Sequence, residues 1–198
     1  MTRRFRIILI IAVVILVSVM STAIGLTAAI WDSASGGSSE YGPVVDTVDW
    51  NSWTKYFSYQ GVDGNSGVAY YIVTSYDGTN LGDVIFPTEK NGVPVTTISN
   101  TVFASTTKKE LPVVVYISGS ITTIEATAFS NLQNLEKVVF APGAGVNVGA
   151  YAFAGCTKLQ TVEIQGSRSI TFDANAFRGC YSLESVTGKS AAQVSAMK

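Results

Sequence analysis

The two cysteines are the most reactive side chains in this chain, and they occupy matching positions. Cys156 lies in "AFAGCTKLQTV", and Cys180 lies in the similar stretch "AFRGCYSLESV" further along the chain. A thiol in such a setting can be a packed core group, half of a disulfide, a metal ligand or a nucleophile. Histidine is absent from the chain, which removes the usual base for a catalytic thiol and a common zinc ligand.

Carboxylates and aromatic rings form the second group of residues that could do chemistry. Asp46 and Asp49 are candidates for the acid and base of a glycan-processing site, which needs two carboxyl groups about 5 to 9 Å apart. Nothing in the sequence sets their separation, because both fall in a predicted linker. The aromatic cluster that could stack on sugars comprises Trp50, Trp53, Tyr56, Tyr59, Tyr70 and Tyr71. We expect these rings to cover one end of the fold, and we predict no catalytic residues, metal ion or cofactor.

The overall charge limits the classes of partner. Thirteen Lys and Arg residues stand against fourteen Asp and Glu residues in a chain of 198, which gives a net charge of -1. No stretch of the folded region concentrates positive charge as a nucleic-acid-binding surface requires. A nucleic-acid partner is therefore not expected, and the length fits one domain with an appended segment.

The segment 1–31 predicts a membrane anchor or a secretory signal. Three arginines in "MTRRFR" precede an uncharged run from Ile7 to Trp31. A helix needs about 20 apolar residues to cross a bilayer, and the arginines should stay on the cytoplasmic side. Thr27-Ala28-Ala29 loosely matches a cleavage pattern, so secretion is the alternative. Both interpretations export the remainder, beyond a flexible Ser- and Gly-rich linker over 32–49.

The second half of the chain repeats with a constant step. The repeat is marked by evenly spaced Ala-Phe pairs at Ala128-Phe129, Ala152-Phe153 and Ala176-Phe177. Two apolar columns keep the same step: Leu111, Leu135, Leu159 and Leu183, and Val114, Val138, Val162 and Val186. A further column adds an earlier, longer unit that contains Phe103: Ile98, Ile124, Val148 and Phe172. A fixed period in the twenties indicates a solenoid, because one unit cannot bury its own apolar side.

These columns predict a mainly β solenoid of about four coils over 98–198. Each coil should supply a Leu-x-x-Val-x-Ile strand, a second short extended segment and a turn that drops its Phe inward. Coils stack ~4.8 Å apart, so the Phe residues should form a ladder. The region 50–97 carries apolar β-formers separated by Asp-Gly turns and predicts a cap of short strands.

The repeat resembles the BspA-like leucine-rich repeats, a bacterial surface family. Its units combine Leu-x-x-Val-x-Ile with Ala-Phe-x-Gly-Cys-x-x-Leu, and the matches here are "LEKVVFAP", "VGAYAFAGCTKLQTVEI" and "AFRGCYSLESV". The resemblance runs from about Val68 to Val186, although Thr106 and Leu132 stand at the cysteine position in the first two units. It implies a leucine-rich-repeat solenoid and a role in adhesion or recognition.

The repeat also places the two cysteines one coil apart. Both occupy a small apolar position after the Phe turn, and we predict that Cys156 and Cys180 point inward as packed thiols. A disulfide remains open as the alternative, because stacked coils bring the Cα atoms to ~5 Å and an exported protein permits oxidation.

Outward strand positions are the candidate partner-binding surface. Since side chains alternate along a strand, the last full coil should present Thr161, Glu163 and Gln165. Stepping back by one repeat adds Lys137 and Val139, and a second step adds Val113, Val115 and Ile117. This face would be polar toward the C-terminus and apolar toward the N-terminus. The N-terminal strands are expected to fold over the apolar part, and the alternative is that this part receives the partner.

Three functions fit these features. The first is an exported, cell-surface, non-catalytic binding or adhesion module that meets an extracellular protein or glycan and is held at the membrane by its N-terminal helix. The alternative is an extracellular glycan-binding or glycan-processing protein that uses the aromatic cluster. A filament subunit ranks last, because the Gly-Phe processing site and early glutamate of pilin-like helices are missing.

Overall fold

The computed structural model describes residues 49–65, 67–79, 82–105 and 112–198. The predicted anchor over 1–31 and the predicted linker, except Asp49, lie outside these residues. Trp50–Lys198 forms a unit of its own. Among the helices of the described part, none has the length and apolarity that a membrane crossing demands.

Short strands are the main regular elements of the described unit. A 3-10 helix at Trp50–Tyr56 comes first, and an α-helix, α1, at Ala191–Met197 comes last. Between them, the described residues form these strands: β1 (Phe57–Gly64), β2 (Gly67–Tyr76), β3 (Asp83–Phe86), β4 (Glu89–Lys90), β5 (Val93–Ile98), β6 (Val114–Ile117), β7 (Thr123–Ile124), β8 (Lys137–Phe140), β9 (Val146–Val148), β10 (Thr161–Ile164), β11 (Ile170–Phe172) and β12 (Ser185–Val186).

The strands form two sheets that wrap into a solenoid of about four turns. The five-stranded sheet has the order β12-β10-β8-β6-β3, and all its neighbours are parallel. The seven-stranded sheet has the order β1-β2-β5-β7-β9-β11, with β4 beside β5. Each coil gives one strand to each sheet, so β6–β7, β8–β9 and β10–β11 are successive coils. The predicted mainly β solenoid is confirmed.

Strand pairing reproduces the repeat seen in the sequence. Lys137 pairs with Thr161, its equivalent one repeat later. The same step joins exposed side chains, because the Lys158 Nζ donates at 2.8 Å to the Oδ1 of Asn134, 24 residues earlier. In the other sheet, one of the predicted columns stacks in register: Ile98, Ile124, Val148 and Phe172. Parallel in-register strands lie ~4.8 Å apart, so residues one period apart in the chain become neighbours in space.

The Phe ladder runs through the centre of the core. Phe103, Phe129, Phe153 and Phe177 are all buried, with exposed fractions of 2% or less. The Phe129 and Phe153 ring centroids are 5.0 Å apart with their planes 2° apart, and Phe153 and Phe177 are separated by 5.3 Å and 7°. Phe103 is tilted by 44° against Phe129 at 5.8 Å. The predicted inward Phe turn is therefore confirmed.

The turn that follows each Phe depends on left-handed backbone. Gly155 and Gly179 have φ angles of 74° and 80°, which glycine adopts without strain. Asn131 takes the corresponding position in the preceding coil with φ 59°, and asparagine tolerates this conformation better than most residues. The Gly of the Ala-Phe-x-Gly-Cys unit is thus required by the reversal of the chain.

Both cysteines are packed thiols, as predicted. Cys156 and Cys180 are fully buried, and the two thiols are not joined in a disulfide. The Cys156 thiol donates to the Phe129 carbonyl and the Cys180 thiol donates to the Phe153 carbonyl, both at 3.0 Å. In each case the carbonyl belongs to the preceding coil. The thiols therefore tie adjacent Phe turns together in addition to filling the core.

Aromatic rings also close the N-terminal side of the ladder. Phe57 lies 4.9 Å from Phe86, and Phe86 lies edge-on to Phe129 at 5.6 Å. Tyr76 packs on Phe103 with centroids 5.6 Å apart. These rings extend the core into the first strands, and none of the three, Phe57, Tyr76 and Phe86, was in the cluster that the sequence singled out for this role.

The C-terminal segment packs against the last described coil. Ser190 caps α1 by accepting from the Gln193 N–H, and the Gln193 side chain accepts from the Ser190 N–H. This reciprocal pair satisfies donors that a helix start otherwise leaves free. Val194 is buried in the core, and the Lys198 carbonyl accepts from the Gly179 N–H at 3.0 Å.

Candidate binding surface

The outer face of the five-stranded sheet contains most of the residues predicted to meet a partner. We call it the strand face and define it by Ile85, Val114, Tyr116, Lys137, Val139, Thr161, Glu163 and Gln165. Pairing of β8 with β10 puts Lys137 beside Thr161 and Val139 beside Glu163. Since Val138 and Val162 are fully buried between them, the alternation of the strands directs these four side chains outward, as predicted.

The prediction that Val115 and Ile117 point outward is wrong. The repeat aligns Val113 with Lys137, but in the sheet Lys137 pairs with Val114, so Val115 lies beside the inward Val138. Val115 and Ile117 are both fully buried in the main core. A slip of one residue turns every side chain of a strand to the opposite face.

Val114 and Tyr116 therefore take the outward positions of β6. Val113 precedes the strand, is half-buried, and donates its N–H to the Gly82 carbonyl at 2.9 Å. The outward patch that the N-terminal strands were expected to cover does not exist at Val115 and Ile117, and the N-terminal strand β3 pairs with β6 edge to edge. Val115 and Ile117 are buried by facing inward.

A charged network occupies the polar part of the strand face. The Lys137 Nζ lies 2.8 Å from the Glu163 Oε2, and the Gln165 Nε2 donates to the Glu163 Oε1 at 2.7 Å. Burial would raise the pKa of the Glu163 carboxyl, but hydrogen bonds from Lys137 and Gln165 and the Lys137 charge hold that pKa below its ordinary value. The network keeps Glu163 ionised and orders three long side chains.

Tyr116 and Val139 form an apolar centre beside this network. They pair across β6 and β8, have exposed fractions of 6% and 2%, and do not belong to the main core cluster. Burial raises the pKa of the Tyr116 phenol to about 12, with smaller contributions from the charges of Asp83 and Glu163. The strand face therefore changes from apolar to polar along the solenoid, as predicted, with different residues on the apolar side.

Two of the chemistries considered, metal binding and thiol catalysis, can be compared with the described residues. No group of three or more Cys, Asp or Glu residues in this part could hold a metal ion. Burial raises the pKa of the Cys180 thiol to about 11, opposed by a backbone hydrogen bond at Cys156 and by the Lys198 charge. A protonated, buried thiol is a poor nucleophile. Asp46 lies outside the described residues, so the Asp46–Asp49 hypothesis stays a prediction.

The aromatic cluster lies on the outside of the N-terminal strands. Tyr59 and Tyr71 are half-buried with ring centroids 5.9 Å apart, and the Lys90 Nζ lies 4.2 Å from the Tyr59 centroid and 5.4 Å from the Tyr71 centroid. Burial raises the pKa of the Tyr59 phenol above its ordinary value. Trp53 and Tyr56 pack edge to face at 5.4 Å and also contact the core from outside. These rings partly cover the fold, as expected.

Sequence reasoning missed Tyr116 as an outward-facing residue of β6. The run Val113, Val114 and Val115 can be aligned with Lys137, Val138 and Val139 in more than one way, and the constant step of the repeat selected the wrong one. Arg168 was also missed, because no other coil has an arginine at the equivalent place. The only signal in the sequence was that Arg168 is a charged residue between two apolar segments.

Two sheets built mostly from parallel strands, together with in-register columns of residues, define a leucine-rich-repeat solenoid. The chain belongs to the BspA type leucine-rich repeat family. The family profile, described as "BspA type Leucine rich repeat region", matches residues 96–195 in 6 copies, about half of the chain. The resemblance indicated by the Ala-Phe-x-Gly-Cys units is thereby confirmed.

Solved leucine-rich repeat structures are similar to part of this chain. The T. pallidum leucine rich repeat protein has 21% identity and a TM-score of 0.45, over 67% of this chain and 69% of that one. A leucine rich cell surface protein from Faecalibacterium prausnitzii has 24% identity and a TM-score of 0.45, over 66% of this chain and 41% of the other. The pneumococcal vaccine antigen PcpA has 18% identity and a TM-score of 0.31, over 66% and 47%. This chain thus matches less than half of the last two proteins, and no curated protein matched it.

Proposed function

We propose that this chain is an exported, cell-surface binding or adhesion module that has no catalytic activity. Its partner is an extracellular protein or glycan that docks on the strand face. The segment 1–31 holds the protein at the membrane, with the repeat domain outside the cell. Cleavage after Thr27-Ala28-Ala29 would instead release it as a secreted protein.

The observation that carries this proposal is the network of Lys137, Glu163 and Gln165 beside the apolar pair Tyr116 and Val139. Hydrogen bonds hold the three polar side chains before any partner arrives, which reduces the entropy that binding costs. The partly exposed charged groups of Lys137 and Glu163, fixed on a rigid sheet, offer specificity to a partner. Membership in the BspA type family agrees with a recognition role.

A matched pair of substitutions in one coil tests the strand face. Thr161 lies on this face in β10, and Thr171 is exposed on β11 in the other sheet. The full-length chain is first screened on arrays of extracellular proteins and glycans, and the bound component is then titrated. Thr161→Arg should weaken binding about tenfold or more, whereas Thr171→Arg should leave it nearly unchanged. Equal effects of both variants, or no bound component, would refute the proposal.

Membrane fractionation tests the anchor separately. The protein should stay in the pellet after a high-salt wash, because a spanning helix is held by apolar burial and not by charge. A label that cannot cross the membrane should reach the repeat domain from outside the cell. A soluble product starting near Ile30 would replace the anchor with a cleaved signal, and protection of the domain from the label would contradict export.

Glycan binding through the aromatic cluster is the second candidate. The half-buried rings of Tyr59 and Tyr71 with the Lys90 ammonium between them favour it, since aromatic rings and a cation are suited to a sugar that carries a negative group. In that case Tyr71→Ala should abolish binding on the glycan array while Thr161→Arg should preserve it. The opposite pattern would support the strand face.

A further inference from the structure

Arg168 is the one charged side chain that is buried among the described residues. It lies in the corner between β10 and β11 with an exposed fraction of 7%. No carboxylate of the described part forms an ion pair with it. Burial lowers the pKa of the guanidinium below its ordinary value, yet arginine stays protonated in proteins. A buried positive charge without a carboxylate requires other partners.

Those partners are four backbone carbonyls and one aromatic ring. The Nε of Arg168 donates to the Ala144 carbonyl at 2.6 Å, and the Nη1 donates to the Ser118 and Ala141 carbonyls at 3.0 and 3.1 Å. The Nη2 donates to the Ile121 carbonyl. The guanidinium carbon lies 5.9 Å from the centroid of the Phe140 ring.

The four carbonyls lie in corners where the chain passes from one sheet to the other. Ser118 and Ile121 lie between β6 and β7, and Ala141 and Ala144 lie between β8 and β9. Ladder hydrogen bonds are interrupted at such corners, and a buried carbonyl without a donor is costly. Arg168 supplies donors where strand pairing does not.

The contacts of Arg168 extend beyond the neighbouring coil. In a solenoid each repeat usually contacts only the repeats next to it. β6 and β10 do not pair, because β8 lies between them. Arg168, from the β10–β11 coil, nevertheless bonds to Ser118 and Ile121 in the β6–β7 coil as well as to the coil between them.

We propose that Arg168 is a clamp that makes the β6–β7, β8–β9 and β10–β11 coils open together instead of one at a time. The clamp acts on the folded array whatever the strand face binds. Arginine suits this role because its planar group spreads five donors over a fixed fork, whereas lysine offers three donors at one point. A lysine at this position therefore keeps the charge but cannot bridge the two corners.

Native-state hydrogen exchange on the full-length chain tests the coupling. In Arg168→Lys, amides over 121–124 in the β6–β7 coil should exchange about tenfold faster or more, although they lie two coils away. Val162→Ala weakens the β10–β11 coil at a fully buried position that Arg168 does not contact, and it measures the coupling directly. With Arg168 in place, Val162→Ala should speed exchange at 121–124 together with β8 and β10, because the three coils open as one unit. In the Arg168→Lys background, Val162→Ala should speed exchange in β8, β10 and β12 and leave 121–124 nearly unchanged. Unchanged exchange at 121–124 in Arg168→Lys, or the same effect of Val162→Ala on 121–124 in both backgrounds, would overturn the clamp.

Chemical rescue provides an independent test of the carbonyl cage. Arg168→Ala should lower the melting temperature by roughly 10 °C, because the Ala141, Ala144 and Ile121 carbonyls lose their donor and the Ser118 carbonyl keeps only the Ile121 N–H at 3.3 Å. Methylguanidinium chloride should raise the melting temperature of this variant more than an equal concentration of methylammonium chloride. The exposed Arg178→Ala should melt like the natural chain and gain nothing. Absence of selective rescue in a folded Arg168→Ala would overturn the proposal, and Arg168→Lys decides it by hydrogen exchange if the alanine variant does not fold.

Discussion

Phe153→Ala removes the central ring of the Phe ladder. The ring is fully buried and stacks on Phe129 at 5.0 Å and on Phe177 at 5.3 Å. Truncation of a buried Phe costs about 3–5 kcal/mol through lost burial and the cavity that remains. Each stacked pair contributes about 0.5–1.5 kcal/mol beyond burial, and the two contributions overlap with the cavity cost. We therefore expect a loss of about 5 kcal/mol in the free energy of unfolding.

Denaturant titration followed by circular dichroism measures this loss. For a protein of this size about 1 kcal/mol corresponds to about 2–4 °C, so the melting temperature should fall by about 10–20 °C. Cys156→Ala is the matched control, because Cys156 is equally buried in the same coil. It removes one sulfur atom and a weak hydrogen bond to the Phe129 carbonyl, and should cost about 1 kcal/mol. A cysteine change as costly as the Phe change, or a loss below about 2 kcal/mol for Phe153→Ala, would refute the ladder as the centre of the core.

Two further predictions concern strand register and titration. Val115→Glu should lower the melting temperature far more than Val114→Glu, because Val115 is fully buried in the core and Val114 is half-buried on the strand face. If Val114→Glu lowered the melting temperature more, the register of β6 described above would be wrong. The thiol of Cys180 has its pKa raised from 9.0 to about 11 by burial, so its contribution to stability is present below about pH 9 and is lost as the pH rises through about 11. Urea titrations across this range should therefore show a smaller fall for Cys180→Ala than for the natural chain, and equal falls would contradict burial of the thiol.

The repeat made much of the fold predictable from the sequence. Ala-Phe pairs at a constant step, with Leu and Val columns in phase, indicated parallel strands stacked in register. This was enough to place Phe153 between two other rings and to turn Cys156 inward, and the structure confirms both. Because the repeats of a solenoid stack in order, residues one period apart in the sequence lie in neighbouring coils, and these two placements could be predicted without a structure.

The register of β6 was beyond this reasoning. Three consecutive valines, Val113 to Val115, satisfy the apolar pattern in either of two alignments. The choice is made in the folded sheet, where Val114 pairs with Lys137 on one side and with Asp83 on the other. Only the pairing of the folded strands reveals that Val115 faces the core and that Tyr116 faces outward.

The sequence by itself determined the periodic properties of this protein: its solenoid architecture, the inward Phe column, the buried thiols and the outward positions of β8 and β10. Tertiary structure decided the properties that occur once. The corner position of Arg168 brings its guanidinium to carbonyls 47 and 50 residues away, Ile121 and Ser118. The physical reason is that equivalent positions of a repeat can be found by aligning its copies within the sequence. A contact that occurs once, between distant residues, depends on how the corners of three coils align in space.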